Sequence, residues 1–446
     1  MTSDDTTLDD SAPRLEVDAL LDDPRTRIVV CCGSGGVGKT TTAAALGVRA
    51  AERGRKVVVL TIDPARRLAQ SMGISELDNV PRRVKGVDEA AGGELHAMML
   101  DMKRTFDEIV EGHADADRAR AILENPFYQS LSAGFAGTQE YMAMEKLGQL
   151  RASNEWDLIV VDTPPSRSAL DFLDAPKRLG SFLDGKFIRV LMAPAKVGGR
   201  AGMKFLNVGM SMMTGTLSKL MGGQLLRDVQ TFVAAMDTMF GGFRTRADAT
   251  YRLLQAPGTA FLVVAAPERD ALREAAYFVE RLAAEQMPLA GLVLNRVHGS
   301  GAAQLSAERA LAAAETLGEG LAEDDGAEGV HTENNLEPTG IVDLDGGKDA
   351  SGTADGLSPA AAADPAAPTS ASAAQLAAGL LRLHAERMQV LARERRTRDR
   401  FTALHPEVPV TEVAALPGDV HDLAGLRAIG DRLALNGATT DHDTDD

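Results

Sequence analysis

Apolar residues gather in runs of strand length, separated by stretches whose apolar positions recur at helical spacing. The runs are Arg27–Cys32, Lys56–Asp63, Leu95–Asp101, Trp156–Asp162, Ala260–Ala266 and Leu289–Val297. Several are nearly continuous Val, Ile and Leu, the mark of strands covered on both faces. Strands alternating with helices predict right-handed crossovers and an α/β fold with a doubly wound, mostly parallel sheet. A helix is expected over Thr41–Arg53, directly after the first run. Another is expected over Ala373–Arg398, then a strand at Val408–Leu416 and a last helix near Asp422–Leu435.

The same pattern divides the chain. Residues 1–25 read as a disordered acidic lead and 26–318 as the main domain, with a helical insert at about 170–255. Residues 319–372 are rich in Asp, Glu, Gly, Ala and Pro without aromatics, and read as a disordered linker. Residues 373–436 are expected to complete the main domain, and 437–446 form an acidic tail.

Composition sharpens this picture. Only 4% of the 446 residues are aromatic, with one Trp, so the core must be aliphatic. The formal net charge is −17, but its location matters more. Asp4, Asp5, Asp9 and Asp10 open the chain, and Asp441, Asp443, Asp445 and Asp446 close it. Residues 319–372 hold twelve acids against one Lys, which leaves the remainder close to neutral. No Lys/Arg run resembles a duplex-binding face, so a nucleic-acid partner is not expected. No apolar stretch approaches the roughly 18 residues of a bilayer span, and no secretory signal is evident. A cytoplasmic location is therefore expected. Cys31 and Cys32 are adjacent within a strand run, where neighbours face opposite sides, so they make a poor disulfide or chelate.

The segment Gly33-Ser34-Gly35-Gly36-Val37-Gly38-Lys39-Thr40 follows the first strand and opens a helix. It fits G-x-x-x-x-G-K-[ST], whose glycines let successive N–H groups face phosphate oxygens. The helix N-terminus adds its positive end. Lys39 is placed to reach the β- and γ-phosphates, and the Thr40 hydroxyl to ligate Mg²⁺. The same letters contain Gly33-x-Gly35-x-x-Gly38, a dinucleotide fingerprint, with Asp63 near the matching distance. That alternative stays open, although a dinucleotide turn has no use for the Lys-Thr pair. Asp162 ends another buried strand and fits a Mg²⁺-holding acid, and Asp63 ends a third on the same sheet edge.

These pieces together resemble the ArsA family of arsenite-pump ATPases and its relatives that target tail-anchored membrane proteins. The matching segments are Gly33 to Thr41, Asp63-Pro64-Ala65 and Asp162-Thr163-Pro164-Pro165. Gly137-x-x-Glu140, Pro267-Glu268 and Asn295 also match. The resemblance implies a Mg²⁺-dependent ATPase in which Asp63 orients or activates water. Lys39 and the loop amides would stabilise the transferring phosphoryl group, and Thr40 with Asp162 would hold Mg²⁺. Thr41 would touch the α-phosphate, while Asn295 and Pro417 would contact adenine.

The departures carry information too. The family's signature Lys in the loop is Ser34 here, and neither the zinc-holding Cys-x-x-Cys nor the arsenite-binding thiols are present. One loop per chain implies a composite site in a homo- or heterodimer, with a Lys-bearing paralogue as the expected partner. Eight of 17 methionines fall at Met192, Met203, Met210, Met212, Met213, Met221, Met236 and Met239. Such a segment suits either the packing of a helical subdomain or a groove for an apolar or membrane-protein client. An alternative reading is a nucleotide-gated targeting module with minimal turnover.

Overall fold

A computed structural model describes residues 13–62, 67–74, 77–126, 128–129, 138–164, 242, 245–324 and 370–435. Its centre is an eight-stranded sheet of order β3-β4-β2-β5-β1-β6-β7-β8. The strands are β1 (Ile28–Cys32), β2 (Lys56–Thr61), β3 (Arg82–Arg83), β4 (Glu94–Met99), β5 (Leu158–Asp162), β6 (Thr259–Ala265), β7 (Leu289–Val297) and β8 (Val410–Ala414). Every neighbouring pair is parallel except β3–β4. The α/β, doubly wound expectation holds. The two-residue β3 was not foreseen, because Arg82 and Arg83 are exposed and lack apolar alternation.

Each buried strand feeds two cores, one on either face. Ile28, Val30 and Cys32 pack with Tyr141, Leu147 and Phe278, while Val29 and Cys31 pack with Ala43, Leu46 and Leu426. Both cysteines are free and buried, on opposite faces. Burial drives the Cys32 thiol up to about 12, and burial with the Asp162 charge drives Cys31 well above its ordinary value. Neither is a thiolate near neutrality.

Two departures from the sequence pattern have a physical cause. Residues 17–22 form a helix, α1 (Val17–Asp22), that buries Val17 and Leu21 where disorder was expected. Its acids are not free charges. Asp18 pairs with Arg49 of α2 (Lys39–Glu52) and with Arg53 just past its end, and Asp22 with Arg53, so acidity here marks a docking face. Helices also run further into the expected linker, to Asp324 and from Ser370. Residues 325–369 lie outside the described part, as do 1–12 and 436–446.

The sheet and its helices, up to His298 and from Glu394 onward, form one compact unit. Gly299–Arg393 forms a second. There, Arg387 donates to the Gly299 carbonyl at 2.8 Å, and a His384 ring nitrogen lies 2.8 Å from the Leu305 carbonyl. Among the described residues, no helix is long and apolar enough to cross a membrane. Residues 165–241, with the methionine cluster, lie outside the described part. The chain re-enters as a helix over 245–255, where Arg246 donates to the buried Glu145 at 2.6 Å. The Tyr141 hydroxyl donates to the same carboxylate at 3.0 Å.

Candidate phosphate-binding site

Parallel register brings three strand ends level. Cys31 of β1 pairs with Asp162 of β5, and Thr61 of β2 pairs with the same Asp162. The carboxyl ends of β1, β2 and β5 therefore meet on one edge, where the strand order reverses and open α/β sheets bind ligands.

Chain leaves β1 through Gly33, at φ +147°, where a Cβ would sit 2.1 Å from the Val264 carbonyl oxygen of β6. Only glycine fits so close to that backbone. Gly35 and Gly36 are exposed, whereas Ser34 and Val37 are buried. Gly38, at φ +95°, caps α2, which opens at Lys39. The helix thus begins two residues before Thr41, and Lys39, Thr40 and Thr41 share its first turn.

The side chains converge on that turn. Lys39 is only 5% exposed, and its ammonium donates to the Ser34 carbonyl at 2.6 Å, folding across the loop it belongs to. The Thr40 hydroxyl donates to Asp162 Oδ2 at 2.7 Å. Asp162 is fully buried and takes a second bond on the same oxygen, from the Thr61 hydroxyl at 2.9 Å. Thr163 donates to the Cys31 carbonyl at 2.9 Å and ties the segment after β5 back to β1. A hydroxyl beside a buried carboxylate is an oxygen donor set suited to a hard divalent cation. Among the described residues, no group of three or more His, Cys, Asp or Glu could hold a metal.

The remaining expected residues fall around this centre. Asn295 lies near the end of β7, and its amide donates to the Val37 carbonyl of the loop at 2.8 Å. Pro417 is exposed in the bend after β8, the strand beside β7. Asp63, Pro64 and Ala65 lie outside the described residues, as do Pro165, Gly137 and the Glu140 side chain. β2 delivers the chain to the site edge, with the Ile62 N–H on the Asp162 carbonyl at 3.0 Å. Thr61 escaped the sequence reading. Its signal was a lone hydroxyl ending an apolar strand run, two residues before Asp63.

Comparison with known proteins decides the lineage. A profile described as anion-transporting ATPase, ArsA_ATPase, matches residues 26–311. The chain belongs to this family. An ATPase GET3 of Podospora anserina is 25% identical over 306 residues, covering 68% of this chain and 83% of that one. An ATPase GET3 of Malassezia globosa is 31% identical over 174 residues, 39% of this chain and 49% of its own. A putative arsenical pump-driving ATPase 1 of Aquifex aeolicus is 28% identical over 155 residues, 34% and 38% of the two chains. The chain thus spans about half the length of the Malassezia relative and most of the Podospora one. ArsA-family membership makes this an ATPase, and the dinucleotide reading of the glycines falls away. The matched range contains the whole loop, Asp162 and Asn295, and stops short of Pro417.

Proposed function

We propose that this ATPase hydrolyses ATP at the loop between β1 and α2 in a Mg²⁺-dependent reaction. The observation that carries the reading is the Thr40–Asp162 contact of 2.7 Å beside the buried Lys39. In this reading ATP displaces the Lys39 ammonium from the Ser34 carbonyl and takes its charge onto the phosphates. Loop N–H groups and the α2 N-terminus surround the phosphoryl group being transferred. Thr40 and Asp162 would hold Mg²⁺, and the ion would supply positive charge to offset that of the phosphates. Asp63 orients or activates water, Thr41 contacts the α-phosphate, and Asn295 and Pro417 border the nucleoside. Phosphoryl transfer needs positioning and electrostatics rather than a covalent nucleophile, and this donor set supplies both.

Two finer assignments follow from the sequence. Ser34 cannot donate a cation across a dimer interface, so the chain works with a Lys-bearing paralogue and turns over slowly alone. The methionine-rich segment takes apolar or membrane-protein clients when nucleotide is bound. Phosphate release with and without Mg²⁺ tests the core of the reading. Lys39→Ala should weaken ATP binding or turnover, and Asp63→Asn should keep binding while slowing hydrolysis at least ~10²-fold. Normal turnover by Asp63→Asn would remove Asp63 from the chemistry. Vigorous turnover by the isolated chain, unchanged by a Lys-bearing paralogue, would refute the partner assignment.

A further inference from the structure

The helix Ser370–Leu404 is apolar on two sides, and one of them is open. Ala378 and Ala385 are buried, whereas Leu376, Leu380 and Leu383, on roughly the opposite side, are 67%, 59% and 63% exposed. These three leucines stand at i, i+4 and i+7, so they form one stripe along the helix. Arg387, one turn further on the same face, ends the stripe with its Nε on the Gly299 carbonyl at 2.8 Å. From Ser370 to Arg393 the helix carries Arg382, Arg387 and Arg393 against a single acid, Glu386. Single exposed leucines are ordinary, but three in register with a basic border mark a docking face.

The size of the stripe limits what can cover it. Three leucines about two-thirds exposed offer roughly 200 Å² of apolar surface. With an equal area from a partner the contact reaches roughly 400 Å², short of the about 1,000 Å² of a stable interface. A separate molecule, including a second copy of this chain, gains too little there. A segment already tied to the helix escapes that limit, because its effective concentration is on the order of millimolar.

Such a segment ends where the helix begins. Residues 325–369 join Asp324, the end of one helix, to Ser370. They hold nine acids against one Lys, so their charge complements the basic border. Their large apolar residues are Val330, Leu336, Ile341, Val342, Leu344 and Leu357. Only Ile341-Val342-Asp343-Leu344 brings three of them within four positions, with Asp343 and Asp345 interleaved. Leu344 precedes Ser370 by 26 residues, and a chain of that length has a root-mean-square span of roughly 25–30 Å. The stripe starts roughly 9 Å and ends roughly 20 Å from Ser370 along the helix, inside that reach.

We propose that Ile341, Val342 and Leu344 dock on the Leu376–Leu380–Leu383 stripe of their own chain, with Asp343 and Asp345 drawn to Arg382 and Arg387. The tether makes the contact intramolecular, the leucines supply the apolar surface, and the arginines select an acidic segment. This goes beyond the nucleotide reading and stands or falls separately from it.

Leu380→Cys in the full chain places one accessible thiol on the stripe, since Cys31 and Cys32 are buried. Its alkylation rate is compared with that of a chain also carrying Ile341→Ser, Val342→Ser and Leu344→Ser. Docking should slow alkylation by roughly three- to tenfold relative to that variant, as millimolar effective concentration and sub-millimolar affinity imply. The protection should be independent of protein concentration and should shrink as salt screens the acid–arginine attraction. Gln389→Cys, exposed off the stripe, should alkylate at one rate whatever the sequence at 341–344. Equal rates at Leu380→Cys with and without the three linker substitutions would overturn the proposal, and so would equal slowing at Gln389→Cys. Protection that grows with protein concentration would overturn it in favour of a second copy. Protection that appears only with anionic phosphatidylglycerol vesicles would overturn it in favour of a membrane surface.

Discussion

Replacing Thr61 by Val removes one hydroxyl and changes little else in size or shape. That hydroxyl donates to Asp162 Oδ2 at 2.9 Å, with Thr61 1% exposed and Asp162 fully buried. A hydrogen bond to a charged group contributes about 1.5–3 kcal/mol, and water cannot replace a lost donor at a buried oxygen. Thr40 still donates to the same oxygen, so Asp162 is weakened rather than orphaned. We therefore expect Thr61→Val to lower unfolding stability by about 2 kcal/mol. Urea titration with an unchanged slope would show this as a lower midpoint. Asp162 should also hold its position less well when Thr40 turns toward a cation. Half-saturation of phosphate release should then need several-fold more Mg²⁺, by the same lost bond. Thr61→Ser retains the hydroxyl and should restore both properties in large part. Wild-type stability to within about 0.5 kcal/mol, together with an unchanged Mg²⁺ titration, would refute the positioning of Asp162 by Thr61.

Other expectations follow from the same geometry. Arg246→Met leaves the buried Glu145 without the partner that joins helix 245–255 to the helix Thr138–Ala152. Tyr141 still donates to Glu145, so removing the half-buried Arg246 should cost about 1–3 kcal/mol, which thermal or urea unfolding should detect, and a loss under about 0.5 kcal/mol would show the pair to be dispensable. Cys32 is held neutral up to about pH 12 by burial, while its unfolded thiol ionises near the ordinary value of 9.0. Its contribution to stability is thus complete below about pH 9 and is lost as pH rises toward 12; a Cys32→Ala chain should show a shallower decline over that window. Alkylation of both thiols in the native protein should proceed only as fast as the chain opens, and rapid labelling at pH 8 would contradict their burial. Gly33→Ala drives a Cβ to 2.1 Å from the Val264 carbonyl and should weaken both folding and ATP binding, as measured by urea midpoint and nucleotide titration.

The pattern of residues along the chain determined the sheet and the glycine-rich turn that joins β1 to α2. Continuous runs such as Val57–Leu60 and Ile159–Val161 have no plausible home but a strand covered on both faces, and local chemistry decides that without tertiary help. Gly33 to Thr40 and Asp162 were legible for the same reason, since glycine spacing and a strand-end acid are local signals. Tertiary structure decided what depends on pairing across distance. The role of Thr61 exists only because the β2–β5 register sets it opposite Asp162, 101 residues away. The grip of Asn295 on Val37 spans 258 residues and needs a bulge at Arg296 that no composition announces. Asp18 and Asp22 read as part of an acidic lead, but Arg49 of α2 and Arg53 at its C-terminal end turn them into anchors. A sequence states which groups a chain carries, but the partners that orient those groups come from strands and helices far away in the chain, and only folding brings them within hydrogen-bond reach.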